Sequence, residues 1–177
     1  MVGLITDEDE ALVRKAVGLL HPNSVVADLG AGQGGTAYTV LSEREDVSLI
    51  SVDIEEAGLN HARLKADELG SLSRWKSVHM EAVKAAAGYW DEHFHLVLLD
   101  TSHGYEETAE EIRCWLPKVQ RGGLFWFHDY DAGSADVPPV PQCIFPGVQQ
   151  AVDEVVAQGL LEVVERQGWS LLTRRPV

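Results

Sequence analysis

The chain contains 177 residues, 45% of them hydrophobic and 24% charged, and this length predicts one globular domain spanning residues 1–177. With 14 basic and 28 acidic residues the net charge is −14, which repels phosphate backbones and anionic membrane surfaces. We therefore expect neither nucleic acid nor a membrane as a partner. No apolar run approaches the roughly 20 residues that cross a bilayer. The N-terminus lacks a signal-peptide pattern, so a cytoplasmic location is expected.

The order of apolar patterns predicts an alternation of helices and strands. Residues 1–22 hold one predicted helix, which Thr6 caps and which a run of acids begins. The segment "SVVADL" at 24–29 then predicts a buried strand that leads into a glycine-rich loop. Four further predicted strands alternate with helices: "VSLISVD", "RWKSVHM", "FHLVLLD" and "GLFWFHD". Because parallel strands need crossover connections, this order predicts a doubly wound α/β domain with helices on both faces of a mostly parallel sheet.

The last third of the sequence departs from this alternation. Residues 131–146 are rich in proline, glycine and small residues, which predicts a loop placed to act as a substrate lid. A helix pattern follows, and "LEVVERQGWSLLTRR" then predicts an antiparallel hairpin. We interpret the acid-rich runs "DEDE" at 7–10 and "YEETAEEIR" at 105–113 as solvated helix faces.

The loop after the first strand, "ADLGAGQGG", fits two glycine templates. Gly30, Gly32 and Gly35 match the G-x-G-x-x-G loop that cradles a dinucleotide pyrophosphate. Gly30, Gly32 and Gly34 instead match G-x-G-x-G, which suggests a smaller nucleoside cofactor. The glycines alone leave both templates open.

Two carboxylates favour the second template. Asp28 would repel a pyrophosphate, but it could hold the ammonium group of an amino-acid-like ligand. Asp53 ends the second strand and can accept hydrogen bonds from ribose hydroxyls, which suits either ligand. A dehydrogenase that uses NAD would also need a substrate domain, for which the chain has little room. Alternatively, Asp28 caps the loop and the glycines form a plain tight turn.

Three segments together resemble the class I S-adenosylmethionine-dependent methyltransferases. They are "VVADLGAGQGGTA", "SVDIEEAG" and "FHLVLLDTSHGYEETAEEIRCWLPKVQRGGLFWFHDYD". The resemblance covers residues 24–175. Within this class, the sequence more specifically resembles the branch with metal-dependent sugar O-methyltransferases and cephalosporin hydroxylase-like proteins. It implies a Rossmann-like fold that ends in an antiparallel hairpin, with S-adenosylmethionine as cofactor.

The resemblance also implies which residues contact the cofactor. The methionine part would lie against Gly30, Gly32 and Gly34, with Asp28 at its amino group. Asp53 would hold the ribose, and Glu81 would lie near the adenine. For Glu81 the alternative is an acid at a helix N-terminus, stabilised by the helix dipole.

Acidic and histidine side chains follow the fourth and fifth strands, at Asp100, His103, His128, Asp129 and Asp131. Adjacent parallel strands end at the same edge of a sheet, so we expect these side chains to converge. Oxygen ligands with one imidazole suit Mg²⁺ or Mn²⁺. The resemblance implies a divalent cation at Asp100, His128 and Asp129, which would activate an acceptor hydroxyl. Alternatively, Asp100 contacts only the cofactor and both histidines are structural.

The sequence departs from the family pattern at two positions of this cluster. Ser102 stands where many relatives carry the acid proposed as base, which leaves His103 or Asp131 for that role. His128 stands where relatives often carry a carboxylate.

We therefore predict O-methylation of a small-molecule hydroxyl, with or without Mg²⁺. Two alternatives stay open: an NAD-dependent oxidoreductase and a non-catalytic relative that binds S-adenosylmethionine. The chain has little sequence outside the predicted sheet and its helices from which to build an acceptor pocket. Either the loop at 131–146 holds the acceptor or a second copy of the chain completes the site.

Overall fold

The computed structural model describes residues 5–130 and 145–177, and within them helices and strands alternate in the predicted order. The strands are β1 (Val25–Leu29), β2 (Ser48–Asp53), β3 (Trp75–His79), β4 (Phe94–Leu99), β5 (Val119–Phe127), β6 (Glu162–Gln167) and β7 (Ser170–Arg174). The α-helices are α1 (Asp7–Gly18), α2 (Gly35–Glu43), α3 (Glu56–Glu68), α4 (Ala82–Ala86), α5 (Tyr105–Trp115) and α6 (Pro146–Ala157). Short 3₁₀ turns lie at Leu72–Arg74 and Leu116–Lys118.

These strands form one mixed sheet in the order β3-β2-β1-β4-β5-β7-β6. β1 to β5 pair in parallel, whereas β7 pairs antiparallel with both β5 and β6. The strand order reverses between β1 and β4, which is where ligands bind in open α/β sheets. The predicted doubly wound, Rossmann-like fold with a C-terminal hairpin is therefore confirmed.

Both faces of the sheet are covered, as the apolar strand patterns predict. Successive side chains of a strand point to opposite faces, and the aromatic run of β5 shows the result. Trp126 packs in the core layer with α1, α2 and α3, whereas Phe125 and Phe127 pack in the layer with α4, α5 and α6. All three side chains are fully buried.

Two acids in the runs interpreted as solvated are buried, which corrects that interpretation. Asp9 is 0% exposed and Glu111 is 6% exposed. Asp9 is the N3 residue of a capping box with Thr6, which confirms the predicted cap and turns the acid back toward the helix start. The Glu111 carboxylate accepts a 2.5 Å hydrogen bond from the Thr101 hydroxyl.

Most of the predicted lid lies outside the described residues, namely 131–144. Its predicted end is wrong by one residue, because Pro146 is already the first residue of α6. Proline at this position costs no helical hydrogen bond, which explains the start of the helix there. Across residues 5–130 and 145–177, every helix is too short or too polar to span a membrane.

Candidate functional site

The glycine loop lies at the ends of β1, β2 and β4, where the strand order of the sheet reverses. The Gly30 N–H donates a hydrogen bond to the Val52 carbonyl oxygen at 2.9 Å. The Asp100 N–H donates to the Leu29 carbonyl oxygen, also at 2.9 Å. Gly30 has φ +87°, and a Cβ there would lie 1.9 Å from the Asp100 carbonyl oxygen. Only glycine fits this approach, so the first glycine of the motif sets the distance between the loop and the end of β4.

The remaining glycines of the motif differ in their surroundings. Gly34 has φ +78° and precedes α2, and a Cβ there would lie 3.0 Å from the backbone of His61 and Ala62. Gly32 has φ +48°, but the nearest atom to its Cβ position is 3.9 Å away, in the backbone of the same loop. The loop therefore leaves space at Gly32, beside the start of a helix, as a ligand-binding loop requires.

Asp53, at the end of β2, holds this loop through a hydrogen bond. Its carboxylate accepts hydrogen bonds from the N–H of Gly32 at 3.1 Å and from the N–H of Glu55 at 2.8 Å. Gly58, in the first turn of α3, makes room for it, since a Cβ there would lie 2.3 Å from Asp53 Oδ2. Sequence reasoning missed Gly58, although a glycine inside a helix is unfavourable and is itself a signal. Contact between Asp53 and a ribose stays a prediction.

Asp28 lies beneath the loop and is 1% exposed. Its carboxylate accepts hydrogen bonds from the hydroxyls of Thr36 at 2.7 Å and Ser51 at 3.0 Å. Burial, helped by the nearby negative charges of Asp100 and Asp53, raises the pKa of Asp28 to about 7 against the effect of the two hydroxyls. The structure thus shows a buried, hydrogen-bonded acid, and the predicted contact with an amino group stays a prediction.

Glu81 lies on the surface just before α4. It forms an ion pair of 2.8 Å with Lys84, and both side chains are well exposed. The preceding residue, Met80, donates its N–H to the carbonyl oxygen of Asp53 at 3.0 Å, which places this segment next to the end of β2. Both interpretations of Glu81 remain open, and contact with adenine stays a prediction.

A second cluster lies at the ends of β4 and β5. Within the described part of the chain, Asp100, His103 and Asp129 each offer one ligand atom, and these atoms lie within 4.8 Å of one another. His103 Nε2 is 2.8 Å from Asp129 Oδ2, and this carboxylate raises the pKa of the imidazole. The ring of Phe145, just before α6, stacks on His103 with a centroid distance of 4.0 Å. Carboxylate and aromatic ring together hold the imidazole in place.

His128 lies beside the two acids of its predicted metal set and also faces Asp9. It is 5% exposed, and its Nδ1 lies 3.3 Å from Asp100 Oδ1 and 3.1 Å from Asp129 Oδ2. Its Nε2 lies 3.5 Å from Asp9 Oδ2. These are ion-pair distances; among the described residues none of the contacts has hydrogen-bond geometry.

The charge of His128 follows from the carboxylates around it. Burial alone would lower the pKa of this imidazole, but the three carboxylates outweigh burial and raise the pKa to about 12. A cation would have to displace the ring proton before this imidazole could bind it. Burial likewise opposes ionisation of Asp129, but the two histidines outweigh it and lower the pKa of that carboxyl. The structure thus brings Asp100, His103 and Asp129 together as a donor set, with His128 beside the same two carboxylates, and a cation held by Asp100, His128 and Asp129 stays a prediction.

Two further residues of the predicted cluster add little. Asp131, the other predicted base, lies outside the described residues. The Ser102 hydroxyl is buried and has no hydrogen-bond partner in the described ranges. His103 is therefore the candidate base that the structure places in the cluster.

Comparison with known proteins gives the class of this chain. Residues 28–130 match the model of a family described as methyltransferase domains. Because this match spans more than half of the chain, the chain belongs to that family, and it is an S-adenosylmethionine-dependent methyltransferase. This result favours the G-x-G-x-G template over the dinucleotide template.

Individual relatives agree with the fold. A Corynebacterium glutamicum protein of known structure matches 99% of this chain and 84% of its own chain, with a TM-score of 0.82 and 12% identity. The O-methyltransferase TomG from Streptomyces achromogenes, solved with S-adenosylmethionine, matches 98% of this chain and 82% of its own chain, with a TM-score of 0.77 and 13% identity. The release factor glutamine methyltransferase of Neisseria gonorrhoeae is 41% identical over 64 residues. That stretch spans 36% of this chain and 23% of the relative.

Proposed function

We propose that this methyltransferase methylates a hydroxyl oxygen of a small molecule and that His103, oriented by Asp129, accepts the hydroxyl proton. The observation that carries the proposal is the 2.8 Å contact between His103 Nε2 and Asp129 Oδ2. The contact lies next to the cofactor loop, because the Asp100 carbonyl oxygen, three residues before His103, touches Gly30. An acceptor bound at His103 would thus lie near the glycine loop.

The arrangement of the two ring nitrogens suits a general base. Asp129 favours the proton on Nε2, which leaves Nδ1 of the neutral imidazole to accept one. The His103 side chain is 34% exposed, so an acceptor can reach it. S-adenosylmethionine, when bound, supplies the electrophilic methyl group. A hydroxyl needs to lose its proton as the methyl group arrives, and an imidazole is a suitable acceptor.

A second candidate uses the same residues to hold a divalent cation. Two carboxylates and one imidazole fit Mg²⁺ or Mn²⁺. Neighbouring ligands of an octahedral cation with bonds of about 2.1 Å stand about 3 Å apart, close to the observed 2.8 Å between His103 and Asp129. When bound, the cation would lower the pKa of an acceptor hydroxyl. Asp100 and Asp129 would supply oxygen ligands, and His103 would then not act as base.

The experiment uses tritiated S-adenosylmethionine and a panel of sugars, polyols and catechols, with a glutamine-containing release-factor peptide as the competing acceptor class. We expect a methylated hydroxyl product. The variant His103→Gln should lower turnover about 100-fold or more while the affinity for S-adenosylhomocysteine changes less than twofold. His21→Gln, which changes an exposed histidine away from the cluster, serves as the matched control.

Chelation separates the two candidates. Turnover that EDTA leaves unchanged supports His103 as base, whereas turnover that EDTA abolishes and Mg²⁺ or Mn²⁺ restores supports the cation. Wild-type turnover in His103→Gln contradicts both. Methylation of the peptide alone would overturn the proposed acceptor class.

A further inference from the structure

Asp9 is a buried acid that the sequence pattern does not distinguish from its solvated neighbours. It lies in the first turn of α1 and is 0% exposed. Its Oδ2 accepts hydrogen bonds from the N–H and the hydroxyl of Thr6 at 3.0 and 2.7 Å. Its Oδ1 accepts from the Trp169 N–H at 2.9 Å and from the Ser170 hydroxyl at 2.6 Å. One carboxylate thus joins the N-terminal helix to the turn between β6 and β7.

The same carboxylate faces the candidate site through His128. The Asp9 Oδ2 atom lies 3.5 Å from His128 Nε2, and the opposite nitrogen of that ring faces Asp100 and Asp129 at 3.3 and 3.1 Å. Trp126 stacks against the ring with a centroid distance of 5.5 Å. If the ring turned over, it would place C–H groups against carboxylates that now face nitrogen. Asp9, on one side of the ring, and Asp100 and Asp129, on the other, therefore favour the same orientation of His128.

We propose that Asp9 is a positioning residue of the methyl-transfer site, acting through His128 on Asp100 and Asp129. Asp129 in turn contacts His103, so the chain of contacts runs from the N-terminal helix and the C-terminal hairpin to the proposed base. The inference rests on the proposed function, because it gives Asp9 a role only if this cluster serves the reaction. It assigns to α1 and to the β6–β7 turn a part in holding the site.

Other functions for this carboxylate are less consistent with its contacts. Helix capping needs only the Thr6 contacts, and an exposed acid would provide them equally well. Burying a carboxylate is costly unless it is fully paired, and Asp9 has four neutral donors and a facing imidazole. Capping explains neither the hydrogen bonds to the β6–β7 turn nor the contact with His128, and the second of these links the carboxylate to the site.

The test compares Asp9→Asn with Asp7→Asn, which removes the same charge from an exposed position in the same helical turn. In Asp9→Asn we expect the ring signals of His128 and His103 in long-range ¹H–¹⁵N spectra to move. Turnover should fall about tenfold or more, as it does when groups that orient site residues are lost. Affinity for S-adenosylhomocysteine, measured by calorimetry, should change less than twofold. Asp7→Asn should resemble the wild type in all three measurements.

A double-mutant cycle separates positioning from a general loss of stability. If Asp9 acts through His128, then Asp9→Asn should cause little further loss of turnover in a His128→Gln background. Equal losses in both backgrounds, or unmoved ring signals of both histidines, would overturn the inference. If Asp9→Asn does not fold, Ser170→Ala replaces it as the test variant. It removes the 2.6 Å hydrogen bond from the Ser170 hydroxyl to Asp9 and keeps the charge of Asp9. It should move the same signals by less.

The spectra also keep this inference distinct from the proposed function. They need no acceptor, so shifted signals in Asp9→Asn show that Asp9 orients the two histidines even if no hydroxyl in the panel is methylated. Conversely, hydroxyl methylation that Asp9→Asn does not slow overturns the positioning role and leaves the proposed function intact.

Discussion

Replacing Asp28 by asparagine should change how the stability of the protein depends on pH. Asp28 is 1% exposed, and its pKa is raised from 3.8 to about 7, mainly by burial. The folded state therefore holds a proton on this carboxyl between pH 4 and 7 that the unfolded state has released. The resulting stabilisation is complete below pH 4 and is lost as the pH rises through 7.

The size of the effect follows from the two pKa values. A rise from 3.8 to about 7 corresponds to about 4 kcal/mol over the full range. Of this, about 2.5 kcal/mol falls between pH 5 and pH 8. Asparagine has nearly the same shape, and its amide can accept from Thr36 and donate to the Ser51 oxygen, which already accepts from the Trp75 indole N–H at 3.1 Å. The variant thus removes the titration while it keeps the packing.

The assay is urea unfolding of the wild type and Asp28→Asn at several pH values from 5 to 8. We expect the stability of the variant relative to the wild type to rise by about 2.5 kcal/mol across this range, equivalent to roughly 5–10 °C in melting temperature. Asp67→Asn, on the exposed side of α3, should run parallel to the wild type. Parallel curves for Asp28→Asn, differing by less than about 0.5 kcal/mol over the range, would refute the reasoning.

Three further changes test the loop and the site. Gly30→Ala should cost about 4 kcal/mol or more, or prevent folding, because its Cβ would lie 1.9 Å from a backbone oxygen; calorimetry with S-adenosylhomocysteine would show the lost site. Gly18→Ala, with nothing within 4 Å of its Cβ, should raise the unfolding free energy by about 0.5 kcal/mol, and a loss would contradict the open surroundings. Phe145→Ala should slow turnover about two- to tenfold through loss of the ring stacked on His103, and Phe145→Tyr should restore it. A Phe145→Ala enzyme as fast as the wild type would show that the stacking does not orient His103.

The local pattern of apolar residues and glycines was sufficient to predict the fold. The central strands are short and apolar, the longer helices have apolar stripes and the glycines mark the loop, so the seven strands were predictable in order even though β3 and β6 are largely exposed. The donor set of the second cluster was predictable only in part. Strand ends bring Asp100, His128 and Asp129 together, but the contact of His103 with Asp129 depends on the path of the loop after β4.

The acids Asp9 and Glu111 show the limit of the sequence pattern. Both lie in acid-rich helical runs, where charge alone predicts solvation. Their burial depends on partners far away in the chain, since Asp9 bonds to Trp169 and Ser170, and Glu111 to Thr101. The periodicity of a helix carries no information about which distant groups will donate hydrogen bonds to its side chains.

The sequence by itself thus determined the doubly wound sheet, the closing hairpin and the glycine loop, because each leaves a local pattern of apolar, turn and glycine residues in the chain. The tertiary structure decided that Asp28 and Asp9 are buried, that His128 lies among three carboxylates and that His103 faces Asp129. These properties arise where α1, β4, β5 and the β6–β7 turn meet. Burial and ion pairing there are set by groups that are close in space and far apart in the sequence.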